Sequence, residues 1–145
     1  MSRPQPQTRE QYPHFQVIPT RWIDNDVYLH VNNVVYYSFF DTAVNQYLIE
    51  QGVLDIERSN IIGLVVETKC NYFTPLTFPD LVHAGLCVEK LGNSSVRYGI
   101  GLFRNDDDSA AAQGHFVHVY VDRTTRKAVA VPPDMRAALE RIRAC

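Results

Sequence analysis

The sequence predicts an α+β fold in which one long, mostly apolar helix lies against an antiparallel sheet. Polar residues between Val34 and Gly52 recur at three- and four-residue spacing, which is the pattern of a helix with one solvated stripe. On both sides of this helix, segments rich in β-branched and aromatic residues are separated by short turn sequences. Consecutive strands with short connections pair antiparallel, and the helix is then available to cover one face of the sheet.

The first residues of the long helix are β-branched and aromatic, and such residues locally favour a strand. The prediction of a helix therefore rests on the spacing of its polar residues. The stripe consists of Ser38, Asp41, Thr42, Asn45 and Gln46. Asn32 or Asn33 can cap the first turn, and Gly52 stands where a helix C-cap is expected. The rest of the helix surface is apolar, so we expect other structure to surround it.

Strand segments lie before and after the predicted helix. His14 to Ile23 alternates apolar and polar residues, and Pro19 within it suits an edge position of a sheet. Four strands and a short fifth follow the helix, separated by the turn sequences PLTFPD, NSS and DDDS. They are predicted at Gly63–Thr74, Leu81–Gly92, Val96–Asn105, Ala110–Arg123 and in TTRKAVAV. The sheet is therefore expected to have five or six strands.

The two ends of the chain are expected to differ. The amphipathic segment from Pro133 to Ala144 has proline near its start, which predicts a C-terminal helix. Residues 1–12 are rich in proline, glutamine and arginine and have no apolar run, so they are predicted to be a disordered or loosely attached tail and not a signal peptide. Residues 13–145 then form one domain, long enough to bury a core without disulfides.

Composition narrows the range of functions. The chain is 46% hydrophobic and 21% charged with a formal net charge of −2, so it lacks the basic excess of a nucleic-acid binder. Its three cysteines are widely spaced and form no Cys-x-x-Cys pair, which argues against a disulfide framework and against a zinc site. No apolar run approaches the roughly 20 residues that span a membrane. The sequence therefore predicts a protein of the reducing cytoplasm.

The densest polar cluster outside the turns lies just before the long helix. It contains Asp24, Asn25, Asp26, His30, Asn32 and Asn33. The first N–H groups of a helix lack internal acceptors, and together with the helix dipole they attract an oxygen that is gaining negative charge. A carboxylate a few residues upstream can face the same point in space. That combination of groups is suited to acyl transfer.

Two other interpretations of this cluster stay open from the residues alone. Asparagine and aspartate before a helix often serve only as caps within a turn. Asp24, Asp26 and His30 could also hold a transition metal. A calcium loop is disfavoured, because its sixth position requires glycine and Leu29 stands there.

The segment RWIDNDVYLHVNNVVYYSFFDTA, from Arg21 to Ala43, resembles the signature of the 4-hydroxybenzoyl-CoA thioesterase-like family of hotdog-fold acyl-CoA thioesterases. That signature is an Asp-x-Asp, a short turn, His-Val-Asn-Asn and an aromatic-rich helix. The resemblance continues through KCNYFTPLTFPD, VEKLGNSSVRYGIGLF and VHVYVDRTTRKAVAVPPDM, and leaves only the N-terminal tail outside it. It implies a hotdog fold, with a sheet wrapped around a long central helix, and hydrolysis of an acyl-CoA thioester to free acid and CoA without a metal or cofactor.

The resemblance also implies roles for individual residues. Asp26 takes the position of the family's catalytic carboxylate, acting either as nucleophile or as general base. Asn33 supplies the backbone N–H group that polarises the thioester carbonyl, and Asp24 is structural. The residues expected around the substrate are His30, Asn32, Val34 and Tyr36. Many members have glycine immediately before the histidine, where this chain has Leu29.

Partners follow from the same resemblance. The family works as dimers whose sites lie between two subunits, so a homodimer or a dimer-based tetramer is expected. The acyl chain is expected along apolar helix residues such as Tyr36 or Phe40. Candidates for binding the phosphates of CoA are Lys69, Lys90, Arg97, Arg104, Arg126 and Lys127. Two alternatives remain, namely a non-catalytic hotdog that binds acyl-CoA and a thioesterase that acts on acyl-carrier protein.

Overall fold

Five strands and two helices make up the computed structural model, which describes residues 4–143 and 145. In chain order they are β1 His14–Pro19, α1 Asn33–Glu50, β2 Ile61–Tyr72, β3 Leu81–Leu91, β4 Ser95–Arg104, β5 Ala112–Asp122 and α2 Pro133–Glu140. Single turns of 3-10 helix lie at Arg9–Gln11 and Trp22–Asp24. The predicted α+β fold, with a long helix and a five-stranded sheet, is confirmed.

All five strands belong to one antiparallel sheet with the order β1-β3-β4-β5-β2. β1 lies at one edge, where Pro19 was expected. β2 lies at the other edge and pairs with β5, so the rule that consecutive strands pair fails between β2 and β3. Pro75 and Pro79 in their connection fix φ and lack an N–H donor, which does not suit a tight hairpin.

The main core lies between α1 and the face of the sheet that we call the inner face. The buried residues of the helix are Tyr36, Phe39, Phe40, Ala43, Val44, Tyr47 and Leu48. Opposite them lie side chains of β3, β4 and β5, and α2 closes one end through Met135 and Leu139. The predicted polar stripe of α1 is on its less buried side, since Ser38, Asp41 and Thr42 are exposed. α1 is therefore covered by the sheet on its apolar side.

The N-terminal segment packs on the opposite, outer face of the sheet, contrary to the expectation of a loose tail. Tyr12 is buried in a second apolar cluster with Cys87, Phe103 and Ala110. Its ring covers Gly85, where a Cβ atom would stand 2.6 Å from the ring. The fit of a large ring onto a strand without a side chain gives this segment an anchor that its polar composition did not indicate. Residues 1–3 of the predicted tail lie outside the described residues.

Cys87 and Cys145 form a disulfide, with their Cα atoms 6.0 Å apart. The sequence argument against disulfide bonding is therefore wrong for this pair. The odd number of cysteines and their wide spacing did not indicate this bond, because it joins β3 to the C-terminal residue across 58 positions. Since the cytoplasmic location was inferred partly from cysteine usage, it stays a prediction from the sequence.

Two of the predicted strands differ clearly from the structure. β1 ends at Pro19, and the 3-10 turn Trp22–Asp24 replaces the end of the predicted strand. The segment TTRKAVAV forms no strand and touches the sheet through one isolated bridge, Val121 to Ala128. β4 occupies this side of β5 as far as Val119, so only the end of β5, up to Asp122, remains for the segment to pair with. Within the described chain, neither helix is long and apolar enough to cross a membrane.

Candidate active site

The N-terminus of α1 is capped by Asn32, one of the two residues predicted to do so. Its side-chain Oδ1 accepts the Val34 N–H at 3.1 Å, and its backbone carbonyl accepts the Val35 N–H at 2.9 Å. Just upstream, the Val31 N–H donates to Leu76 and the Asn32 N–H donates to Asp24, both through backbone carbonyls. These bonds fix the first turn of the helix relative to two neighbouring loops.

Asn33 is the exception in this run of amides. Its backbone N–H has no acceptor among the described residues, whereas the N–H groups of Val31, Asn32, Val34 and Val35 all have one. The free N–H stands at the positive end of the helix dipole, where it can donate to an oxygen that carries partial negative charge. The side-chain cap on Val34 therefore leaves Asn33 as the available donor.

Asp26 is held in a compact turn between β1 and α1. Its backbone N–H donates to the His30 carbonyl at 2.9 Å, and its carbonyl accepts the Leu29 N–H at 3.1 Å. One carboxylate oxygen, Oδ1, accepts the Tyr28 N–H at 2.8 Å. Oδ2 has no hydrogen-bond partner in the described part of the chain. The side chain is thus oriented by one oxygen while the other stays free.

The turn around Asp26 is cross-linked to the loop between β2 and β3. Thr77 Oγ1 donates to the Leu29 carbonyl at 2.7 Å, and the Phe78 N–H donates to Asn25 Oδ1 at 3.0 Å. Asp80 anchors that second loop, because its carboxylate is buried and accepts from the Thr77 N–H at 3.0 Å and from Arg104 Nε at 3.0 Å. The position of Asp26 therefore depends on a loop that lies about 50 residues further along the chain.

Asp24, for which the resemblance implied a structural role, is buried. Its carboxylate accepts the Arg21 N–H at 2.7 Å and forms an ion pair with the Arg21 guanidinium. These bonds join the two ends of the 3-10 turn Trp22–Asp24, which precedes Asp26 in the chain. The residues described by the structure contain no group of three or more His, Cys, Asp or Glu side chains arranged to hold a metal ion.

Asp26 and Asn33 line one pocket of about 330 Å³ at the start of α1. Its full lining is Asp26, His30, Val31, Asn33, Tyr36, Tyr72, Phe73, Thr74 and Pro75. The volume falls in the range of small-molecule sites. A carboxylate and a free helix N-terminal N–H that share a cavity can act on an electrophilic carbonyl, one as base or nucleophile and the other as hydrogen-bond donor.

The structure brings most, but not all, of the other predicted site residues to this pocket. His30 lines it and is exposed, and Tyr36 lines it with a buried ring whose hydroxyl accepts the Leu76 N–H at 3.2 Å. Asn32 contributes through the helix cap. Val34 does not line the pocket, because its side chain is 64% exposed on the solvent side of the helix. Phe40 is fully buried and offers no open surface to a ligand.

Tyr72 is a pocket residue that sequence reasoning missed. Its hydroxyl donates to the Asn33 carbonyl at 3.2 Å, and its ring packs edge-on against Tyr36 with centroids 4.9 Å apart. The desolvation of its hydroxyl raises the pKa of Tyr72, so the group remains a donor at neutral pH. Only the pairing of β2 with β5, which sequence patterns did not predict, brings this residue beside α1.

None of the candidate phosphate-binding residues lines the pocket. Arg97 pairs with Glu89, and Arg104 pairs with Asp80. Within the described chain, no lysine or arginine lines the pocket. The nearby thiol of Cys70 is partly buried, which raises its pKa to about 11 and keeps it protonated at neutral pH. Among the described lining residues, Asp26 and His30 thus carry the carboxylate and the imidazole of the pocket.

A long helix covered by an antiparallel sheet, with a carboxylate and a free amide at the helix start, defines a hotdog-fold protein equipped for acyl transfer. The chain belongs to the thioesterase-like superfamily, whose sequence profile matches residues 19–139. It is a thioester hydrolase of that fold. The family resemblance of the Asp26 segment is thereby confirmed.

The chain is similar to known proteins in sequence and in structure. The chain is 27% identical over 126 residues to the long-chain acyl-CoA thioesterase FadM of Escherichia coli K12, a match that covers 86% of this chain and 96% of FadM. The crystal structure of the PA5185 protein of Pseudomonas aeruginosa superposes with a TM-score of 0.94 at 55% identity, covering 97% of this chain and 98% of that one. The DHNA-CoA thioesterase of Staphylococcus aureus shares the fold, with a TM-score of 0.79 at 22% identity over 88% and 89% of the two chains.

Proposed function

We propose that the protein hydrolyses fatty or aromatic acyl-CoA thioesters to the free acid and CoA, with Asp26 as the catalytic carboxylate. The observation that carries the proposal is the shared pocket of Asp26 and the free Asn33 N–H. The similarity to FadM, a long-chain acyl-CoA thioesterase, supports a CoA thioester as the substrate. The fold alone would not select this chemistry, because one fold hosts many functions.

In the proposed reaction, the thioester carbonyl oxygen accepts a hydrogen bond from the Asn33 N–H. The helix dipole adds to this bond as negative charge develops on that oxygen. Asp26 either removes a proton from an attacking water or attacks the carbonyl carbon itself to form a mixed anhydride that water then hydrolyses. In both routes the C–S bond breaks and the sulfur of CoA leaves as a thiolate. It becomes the thiol by taking the proton that Asp26 removed from water in the first route, or the proton released when water hydrolyses the anhydride in the second. The free Oδ2 of Asp26 is the oxygen available for either role.

We assign supporting roles to the remaining residues of the site. Asn32 keeps the Val34 N–H occupied, which leaves Asn33 as the free donor among the described amides from Val31 to Val35. Tyr36 supports the pocket wall by holding the Leu76 N–H, and His30 stands at the exposed rim beside the thioester. Val34, on the solvent side of the helix, contributes through its capped backbone and not through a side-chain contact with the substrate.

A panel of acyl-CoA thioesters tests the proposed function. Purified protein should release free thiol from medium-chain, long-chain or aromatic acyl-CoA, measured with a thiol-reactive dye. Turnover of acyl-carrier-protein thioesters but not of acyl-CoA would support the carrier-protein alternative. A complete panel without turnover above the uncatalysed rate, combined with saturable acyl-CoA binding, would favour the non-catalytic alternative.

We also propose that the protein forms a homodimer or a dimer-based tetramer through β2. This strand is an edge of the sheet, and its exposed residues include Leu64, Val65 and Val66. An unpaired edge with apolar side chains is a template for pairing with another strand. Light scattering at micromolar concentration should give at least twice the mass of the chain. A strictly monomeric species would contradict the proposal.

A further inference from the structure

A second, apolar groove also borders Asp26. It has a volume of about 600 Å³ and is lined by Trp22, Ile23, Asn25, Asp26, Val27 and Leu29. We call it the loop groove. Four of these residues are large apolar side chains with exposures of 74% (Trp22), 77% (Ile23), 87% (Val27) and 68% (Leu29). A concentration of exposed apolar surface within one short loop marks a place where another apolar group binds.

Asp26 lines both the loop groove and the pocket at the helix start, and it is the residue that the two cavities share. A thioester positioned at Asp26 would therefore have its two arms directed into two different cavities. Among the described residues neither cavity is lined by lysine or arginine, but large apolar side chains form most of the lining of the loop groove, whereas the pocket at the helix start also contains Asn33, His30 and Thr74. The chemistry of the loop groove fits a hydrocarbon chain.

Leu29 adds a backbone argument. It has a φ of 66°, in the left-handed region that disfavours residues with a Cβ atom and favours glycine or asparagine. The side chain gains nothing from packing to offset this strain, since it is largely exposed. The strained conformation is held by the Thr77 bond to the Leu29 carbonyl. Thus neither the packing of the folded chain nor the backbone conformation favours leucine at position 29. Contact with an apolar ligand would favour it.

We infer that the loop groove binds the hydrocarbon chain of the acyl group, and that Leu29 and Val27 determine the preference for long chains. The inference rests on the proposed function and deepens it. The carrier thiol would then lie in the pocket lined by His30 and Thr74. Each methylene group that becomes buried increases apparent affinity about fourfold, so the groove should produce a steep dependence on chain length.

The test compares butanoyl-CoA and palmitoyl-CoA as substrates of the full-length protein. Leu29→Asn removes the apolar side chain and places a residue that tolerates positive φ, so the loop should fold at least as well. Val27→Ser/Leu29→Asn removes a second wall residue. Both variants should lose at least tenfold in kcat/KM for palmitoyl-CoA and change less than twofold for butanoyl-CoA. Ile56→Ser, which removes an equally exposed apolar residue from a different loop, is the matched control and should change neither.

Other outcomes overturn the inference in distinguishable ways. An unchanged ratio of the two kcat/KM values would exclude the loop groove as the chain site. Loss of both activities together with a smaller mass in light scattering would make the loop an interface between copies of the chain. If the unmodified protein hydrolyses neither these two substrates nor any other member of the acyl-CoA panel, the proposed function fails. Binding of a dansylated fatty acid then tests the loop groove separately from catalysis. Val27→Ser/Leu29→Asn should weaken that binding at least tenfold, and equal binding by the variant and the unmodified protein would overturn the inference.

Discussion

Replacing Asp26 with asparagine should lower kcat for acyl-CoA hydrolysis by about 1,000-fold, within the range that a general base contributes. The substitution keeps an oxygen in the position of Oδ1, so the bond from the Tyr28 N–H and the turn around it should persist. It removes the charge and the basicity of Oδ2, which is the oxygen free to act on water or on the carbonyl carbon. The rate of thiol release under substrate saturation measures the effect.

Asp41→Asn is the matched control for this variant. Asp41 is an exposed carboxylate on the solvent side of α1, and its side chain contacts Asn45 away from the pocket. Activity of that variant should equal the activity of the unmodified protein. Unchanged circular dichroism and thermal midpoint for Asp26→Asn would show that the loss is chemical. Retention of more than a tenth of the activity would remove Asp26 from the catalytic role.

Local sequence signals predicted the helix and its cap well, because the forces that form them act within a few residues. The polar stripe from Ser38 to Gln46 defined α1, and Asn32 caps it as expected. Gly52 follows the helix with a φ of 74°, the conformation for which glycine was expected there. Each of these features depends on neighbours in the chain, which a sequence shows directly.

Sequence patterns did not predict the contacts between segments that are distant in the chain. Nothing in β2 indicates that it pairs with β5 and not with β3, because both strands are apolar and of similar length. That pairing brings Tyr72 to the Asn33 carbonyl. The loop that follows β2 brings Thr77 to Leu29. The sequence thus pointed to Asp26 and Asn33 through their motif, while the residues that hold them in place came from the topology.

A buried histidine in β5 should make the free energy of unfolding depend strongly on pH. His118 is 2% exposed, and neither ring nitrogen has a hydrogen-bond partner in the described part of the chain. It is surrounded by the rings of Tyr98, Phe116 and Tyr120, none of which carries a charge at or below neutral pH. Desolvation lowers the pKa of His118 from 6.5 to about 4, because the charged ring would have no water and no counter-ion.

This shift makes the stability of the protein sensitive to acid. Between pH 6.5 and about 4 the unfolded chain binds a proton at His118 and the folded chain does not, so the free energy of unfolding falls as pH falls through this window. The loss should reach about 3 kcal/mol near pH 4, since each unit of pKa difference corresponds to about 1.36 kcal/mol. Well above pH 6.5 the ring is neutral in both states and the contribution is constant.

Urea unfolding of the unmodified protein and of His118→Leu from pH 4 to pH 8 isolates this contribution. Leucine fills the site without a titratable group, so carboxylates that titrate in the same range cancel when the two free energies of unfolding are subtracted. His118→Leu should gain about 3 kcal/mol relative to the unmodified protein as pH falls from 7 to 4, because protonation of the unfolded state no longer competes with folding. A difference that stays constant across the range would mean that His118 is solvated or paired in the folded protein.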